Sequence, residues 1–185
     1  MTTATPGAGW SRLDRVSPID AVIRLAAADD AGAIGAIYDE AIATGVATFA
    51  EGPHDVAERT AWLAARGDRA PVWVLEEGDR VHAWSALAPL SHRPWYDGVA
   101  EYTVYVARDA RGGGVGARML DHLIAEAPAF GYWKLVGMIL DGNVPGLALA
   151  TSRGFREVGV HQAHGRVGRD WRDVTVVELH IGERP

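Results

Sequence analysis

Three successive glycines, Gly112 to Gly114, stand between a β-branched, aromatic run, "VYV" (Val104–Val106), and an apolar helical pattern, with Arg111 just ahead and Gly116 two residues on. Glycine lacks a Cβ, so it accepts positive φ or lets backbone approach a ligand closely, at a cost in conformational entropy. A strand, a glycine loop and a helix start gather several amides that have no intrahelical partner. The helix dipole there favours an anion by roughly 0.3–1 kcal/mol per charge in exposed settings. A phosphate or diphosphate is the natural occupant, and Arg111 adds a fixed positive charge with a fork of donors.

Three phosphate-binding patterns compete for this loop. A P-loop needs Gly, four residues, then Gly-Lys-Ser/Thr, and no such string occurs. The dinucleotide pattern G-x-G-x-x-G/A is met by Gly112, Gly114 and Ala117, but it belongs at the tight first turn of a βαβ unit, whereas here five residues separate Val106 from the first glycine. The third pattern, Arg-x-x-Gly-x-Gly, is met by Arg111, Gly114 and Gly116 directly after a strand. A merely tight strand-to-helix turn would need only one or two glycines.

Other chemistries have less support. The chain has no cysteine, so a disulfide framework, a thiolate zinc site and a cysteine nucleophile are excluded. His161 and His164 have no acidic or cysteine partner that completes a familiar zinc pattern, so no metal is expected. A formal net charge of -6 argues against a polyanion-binding surface and hence against nucleic acid. No apolar run approaches the roughly 20 residues of a membrane helix, and no signal-peptide core is visible, so no membrane partner and a cytoplasmic location are expected. The seven tryptophans, Trp62, Trp73, Trp84, Trp133 and Trp171 among them, are expected to fill core or a subunit interface.

With 185 residues, 48% of them hydrophobic, the chain is long enough to bury one sizeable core. Residues 1–20 mix Thr, Gly, Pro and charge without periodicity and are expected to form a flexible extension, leaving 21–185 as a single domain. "AVIRLA" (Ala21–Ala26) predicts a strand. Asp29 or Asp30 then caps a helix with Ile34, Ile37, Tyr38, Ala41 and Ile42 on one face, stopped at Gly45. Asp55 and Glu58 form a capping-box pattern ahead of "VAERTAWLAAR", which Gly67 ends.

"PVWVLEE" and "RVHAWSAL" flank Gly78-Asp79 as a hairpin. "VAEYTVYVA" puts Glu101, Thr103 and Tyr105 on one face of a strand and Tyr102, Val104 and Val106 on the other. "VGARMLDHLIAEA" predicts a helix, "YWKLVGMIL" a strand, and "PGLALATSRG" a short helix with Pro145 in its first turn. "FREVGVHQA" and "DVTVVELHI" complete the sheet. The order β-α-α-β-β-β-α-β-α-β-β describes a layered α/β domain.

The loop resembles the pyrophosphate loop of the Gcn5-related N-acetyltransferase (GNAT) superfamily, and the resemblance runs from Val22 to about Ile181. It is closest to the branch of phosphinothricin and methionine sulfoximine acetyltransferases, which shows T-x-F after the first helix, an aromatic-and-Arg loop before V-E-x-S-V-Y-V, and a late G-R-W-x-D. This chain has "TFAEGP" (Thr48–Pro53), "HRPWYDGVAEYTVYV" (His92–Val106) and "GRDWRD" (Gly168–Asp173), the last with one extra residue.

The resemblance implies the GNAT fold, a mixed and mostly antiparallel central sheet flanked by helices. It also implies acetyl-coenzyme A (acetyl-CoA) as cosubstrate, no metal, a small amino acid analogue as acceptor and a homodimer. Arg111, Gly112, Gly113, Gly114, Val115, Gly116 and Ala117 would hold the diphosphate, Val104, Tyr105 and Val106 the pantetheine arm, and Asn143 another part of the coenzyme. Glu101 would be the general base, a role that typically contributes roughly 10²- to 10⁴-fold in rate. Arg93 and Tyr96 would grip an anionic acceptor, with Phe49 and Trp95 walling its pocket.

Departures from the pattern are specific. Ala150 stands where the family has a Tyr or His able to protonate the leaving thiolate, Gly146 where it has Ser, and Ser91 where a second Arg is usual. Alternatives to the acetylation of an amino acid analogue are another amine or a protein N-terminus as acceptor, or a non-catalytic acyl-CoA sensor.

Overall fold

The computed structural model describes residues 21–183; the expected extension at 1–20 lies outside the described residues. Seven strands form one sheet in the order β1-β2-β3-β4-β5-β7-β6. They are β1 (Val22–Leu25), β2 (Val72–Glu77), β3 (Arg80–Pro89), β4 (Val99–Val106), β5 (Lys134–Leu140), β6 (Arg156–Val167) and β7 (Asp170–His180). The helices are α1 (Ala31–Ile42), α2 (Val56–Ala64), α3 (Val115–Glu126) and α4 (Val144–Ser152). Fold class and element order are those expected from the sequence.

Periodicity explains most elements. Ile34, Ile37 and Ala41 of α1, and Met119, Leu120 and Leu123 of α3, are buried at helical spacing. Strands β2 and β3 carry continuous buried runs because helices cover both faces. The hairpin turns at Gly78 and Asp79, pairing Glu77 with Arg80.

Two local expectations are corrected. Asp30 stands at the N-cap of α1 but its side chain makes no cap. Arg24 donates to both its oxygens at 2.7 and 2.9 Å, and the Ala27 N–H donates to it at 2.7 Å. That pairing holds the Asp30 carboxyl below its usual range. Strands β6 and β7 also run longer than "FREVGVHQA" and "DVTVVELHI". They extend to a turn at Gly168, so His161 and His164 stack on each other within β6 rather than in a loop.

The feature that positions the site is the one parallel pair. β4 meets β5 only through Val99↔Lys134, Ala100↔Leu135 and Glu101↔Val136. Beyond Glu101 the two strands diverge while β4 stays paired to β3 as far as Val106. Tyr102 is the first residue past the divergence, and its ring lies over Gly137. A Cβ on Gly137 would sit 2.6 Å from Tyr102 Cε1 and 2.9 Å from its hydroxyl oxygen, so only glycine fits there.

Candidate active site

The divergence opens a cleft of about 300 Å³ between β4 and β5. Residues 102–106 form one wall, Gly137, Met138 and Ile139 the other, and Arg111, Asn143 and Leu149 lie on its margins. Strand β4 leads directly to the glycine loop. Gly112 and Gly114 have φ of +78° and +85°, conformations that L side chains rarely adopt, and Gly114 is the N-cap of α3. The first i→i−4 bond of α3 runs from Arg118 N–H to Gly114 O at 3.1 Å, which leaves the amides of Val115, Gly116 and Ala117 ahead of it. Gly116 lies close under Leu149 and Val106, where a Cβ would be 3.4 and 3.5 Å from their methyl carbons. Arg111 turns its Nε back to the Val106 carbonyl at 3.0 Å, so its guanidinium sits at the join of strand and loop. Amides, dipole and guanidinium suit a diphosphate, and the groove along β4 suits the linear arm that follows it.

Asn143 lines this cleft and also caps α4, accepting the Gly146 N–H at 3.0 Å. A Cβ on Gly146 would come within 2.9 Å of three Asn143 side-chain atoms, which accounts for glycine where a serine was expected. Ala150 is fully buried and offers no proton. Tyr102 is the phenol at the narrow end of the cleft, and burial raises its pKa so that it stays protonated.

Glu101 faces a second cavity, of about 230 Å³, on the α1–α2 side of the sheet. It is half-buried, and desolvation raises its carboxyl above the usual range. Among the described residues no other acidic side chain lines this cavity or the cleft. Thr103 and Tyr105 line both spaces, so the cavity and the cleft adjoin along β4.

The remaining walls come from residues that the sequence did not single out for binding. Arg59, Trp62 and Arg66 line the cavity from α2 and its C-terminal turn, Tyr38 from α1 and Trp84 from β3. Trp84 and Tyr105 stack at 4.7 Å, Tyr38 meets Tyr105 edge-on at 5.0 Å, and Trp62 meets Trp84 at 5.7 Å. Trp84 is core, as the sequence suggested, and Trp62 packs against that core, and both also line the cavity. Arg66 donates to the carbonyl oxygens of Ala70 and Leu87. Arg59 is only 7% exposed, and its Nε has no hydrogen-bond partner among the described residues. Its guanidinium lies 4.8 Å from the Tyr38 ring centroid and 4.9 Å from that of Trp62. Such contacts stabilise by roughly 0.5–2 kcal/mol each. Burying an ion costs several kcal/mol.

The four residues expected to hold an acceptor are not gathered around Glu101. Arg93 and Tyr96 line a third cavity, of about 210 Å³, together with Asp97 and Arg69, which pair with each other. That cavity shares no lining residue with the one that holds Glu101. Trp95 points outward at 74% exposure. Phe49 packs on Gly165 of β6, where a Cβ would lie 2.6 Å from its ring. Among the described residues no three His, Cys, Asp or Glu side chains are grouped to hold a metal, and no helix is long and apolar enough to cross a membrane.

A sheet that parts at a parallel pair, with an amide-rich loop after the central strand, defines an acyl-coenzyme A type of transferase scaffold. Residues 22–155 match the model of the acetyltransferase (GNAT) family, and the chain belongs to that family. It is 32% identical over 169 residues to the L-methionine sulfoximine/L-methionine sulfone acetyltransferase of Pseudomonas paraeruginosa, covering 88% of this chain and 96% of that one. A crystal structure of a GNAT superfamily phosphinothricin acetyltransferase from Sinorhizobium meliloti, in complex with AcCoA, superposes with a TM-score of 0.81 at 27% identity, covering 89% and 90% of the two chains. A ribosomal-protein-alanine N-acetyltransferase from Brucella melitensis superposes with a TM-score of 0.82 at 33% identity, covering 86% and 99%.

Proposed function

We propose that this protein transfers the acetyl group of acetyl-CoA to the primary amine of a small amino acid or amino acid analogue, of the methionine sulfoximine or phosphinothricin kind. The observation that carries this reading is the meeting of two spaces on β4, a long cleft ending at a diphosphate-type loop and a compact cavity containing one carboxylate. Acetyl-CoA supplies an activated thioester. The amides of residues 112–117 and Arg111 hold its diphosphate, the β4 backbone at Val104–Val106 aligns the arm, and a β4 amide polarises the thioester carbonyl. Glu101, whose carboxyl burial pushes above its usual range, removes the ammonium proton through water, so that the free amine attacks the carbonyl carbon. The new C–N bond forms as the C–S bond breaks, and the departing thiolate takes its proton from water. Tyr102 donates a hydrogen bond to that sulfur, a role for which Ala150 has no group.

A protein N-terminus is the second reading, favoured by the Brucella neighbour's name. A cytoplasmic location and a homodimer belong to the same proposal. The sheet edge at β6 supports the dimer, since it carries Val158 and Val160 exposed along twelve residues.

Calorimetry with acetyl-CoA tests the donor half. We expect saturable binding to the full chain and about tenfold or greater weakening in Arg111→Gln, the loss of a charge-assisted contact. No saturation with the wild type overturns the scheme. Thiol release across methionine sulfoximine, phosphinothricin, ordinary amino acids and short peptides tests the acceptor half.

A further inference from the structure

We propose that Arg59 is the anchor for an anionic group of the acceptor, so that the substrate of this site is a free α-amino acid or analogue held by its carboxylate at Arg59 with its amino group toward Glu101. The inference rests on the acetyl-transfer reading above and adds to it where the acceptor sits and what chemical class it belongs to.

The motive is an unbalanced charge. Arg59 is more than nine-tenths buried, lines the cavity that holds Glu101, and has no carboxylate or hydrogen-bond acceptor among the described residues. The other two fully buried acidic or basic side chains among the described residues are paired. Asp30 has Arg24, and Glu178 has Lys134 and Arg156. Polar groups buried without partners are rare in folded proteins, and an orphaned one calls for an explanation such as a ligand. Here a second donor lacks a partner as well, because the indole N–H of Trp84, another lining residue, is buried and unbonded among the described residues. Two donors without acceptors, one of them cationic, match an anion with free lone pairs.

The rest of the cavity fits the remainder of such a molecule. Tyr38, Trp62, Trp84 and Tyr105 give it aromatic walls, suited to a short side chain. Glu101 is the only acidic group there among the described residues, and an ammonium ion is its complement. Thr103 and Tyr105, shared with the cleft, put that amine beside the place where an arm running along β4 ends. A volume of about 230 Å³ lies below the roughly 300–1,000 Å³ of drug-sized ligand pockets, which suits a free amino acid better than a peptide chain. Arg66 does not duplicate Arg59, since its guanidinium is engaged by two backbone carbonyls.

The test is direct binding to the full chain by calorimetry, which needs no turnover. L-methionine sulfoximine is compared with its methyl ester, which keeps the amine and side chain and removes the carboxylate charge. We expect the wild type to prefer the free acid by at least about thirtyfold, the discrimination of a buried charge pair. Arg59→Gln should bind acid and ester within about threefold of each other, with acetyl-CoA affinity unchanged. Arg59→Met, which replaces an unpaired buried cation with an apolar chain of similar length, should melt higher than wild type in the absence of ligand while losing the acid preference. Equal binding of acid and ester by the wild type, binding of neither, or an equal loss of both in Arg59→Gln overturns the assignment. In those cases intact acetyl-CoA binding leaves the transferase reading standing. Preference for N-terminal peptides over free amino acids would overturn it in favour of a protein acceptor.

Discussion

Replacing Glu101 by Gln keeps the size and planarity of the side chain and removes its ability to take a proton. Among the described residues no second carboxylate lines the cavity or the cleft, and burial keeps Tyr102 and Tyr105 in their protonated forms, so none of these neighbours takes over as base. The full contribution of a positioned base should therefore be lost, about 10²- to 10⁴-fold in kcat, or roughly 3–5 kcal/mol of barrier at 1.36 kcal/mol per decade. Steady-state thiol release over pH 5–9, with acetyl-CoA affinity measured in parallel, checks this. The wild-type rate should fall on the acid side with an apparent pKa above the ordinary carboxylate range, and Glu101→Gln should lack that limb while binding acetyl-CoA normally.

Stability carries the same signature with a defined sign. A carboxyl whose pKa is raised on folding contributes stability that is present below its unfolded value, near 4.3, and lost as pH rises through the folded value. Glu101→Gln should thus melt higher than wild type at pH 7, and the difference should shrink as pH falls toward the unfolded value. Unchanged kcat at pH 7, or an acid limb that survives in the variant, refutes the reasoning.

Two further substitutions examine the parallel pair and the cleft. Gly98 has φ +85°, a Cβ there would lie 2.2 Å from Trp133 Nε1, and its carbonyl accepts the Trp133 and Lys134 N–H groups. Gly98→Ala should therefore destabilise by about 2–4 kcal/mol, seen calorimetrically as a melting point lower by about 5–15 °C. A shift of under a degree would mean that Trp133 moves aside without cost. Tyr102→Phe keeps the ring over Gly137 and against Phe155 but removes the hydroxyl. It should lower kcat about 10- to 100-fold with the melting point and acetyl-CoA affinity unchanged, and an unaltered kcat would remove Tyr102 from the reaction.

What the sequence disclosed was local. The 3.6-residue spacing of Met119, Leu120 and Leu123 identifies α3 because that period reports one buried face, whereas β4 is legible from its β-branched and aromatic residues, both of its faces being partly covered. The glycine loop is legible because positive φ at Gly112 and Gly114 demands that residue type. Pairing across the molecule was not legible. Asp30 has the form of a cap for α1, yet its carboxylate takes the distant Arg24 fork together with the Ala27 amide rather than an amide of α1. The second half of β6 escaped notice because nearly every residue of that strand is exposed, leaving no alternation to find, and Ala163 at φ 46° interrupts it. Arg59, Trp62 and Arg66 do recur at helical spacing, but a stripe of arginine and tryptophan has the form of a solvated face with a core aromatic. Only the folded chain turns it toward Glu101. Where Arg93, Trp95 and Tyr96 lie was not legible either: a motif carries residue types and order, not which cavity a loop will line.

The short contact between β4 and β5 has a consequence for how long the molecule survives. Past Glu101, one edge of β4 has no neighbouring strand among the described residues, so β4 is held by fewer ladder bonds than its length allows. A metabolite that lies along that edge mends the fabric while it is bound. At a hundredfold excess over its dissociation constant it would add about 2.7 kcal/mol to the folded state. The persistence of the protein in a cell would then follow the supply of its own acetyl donor.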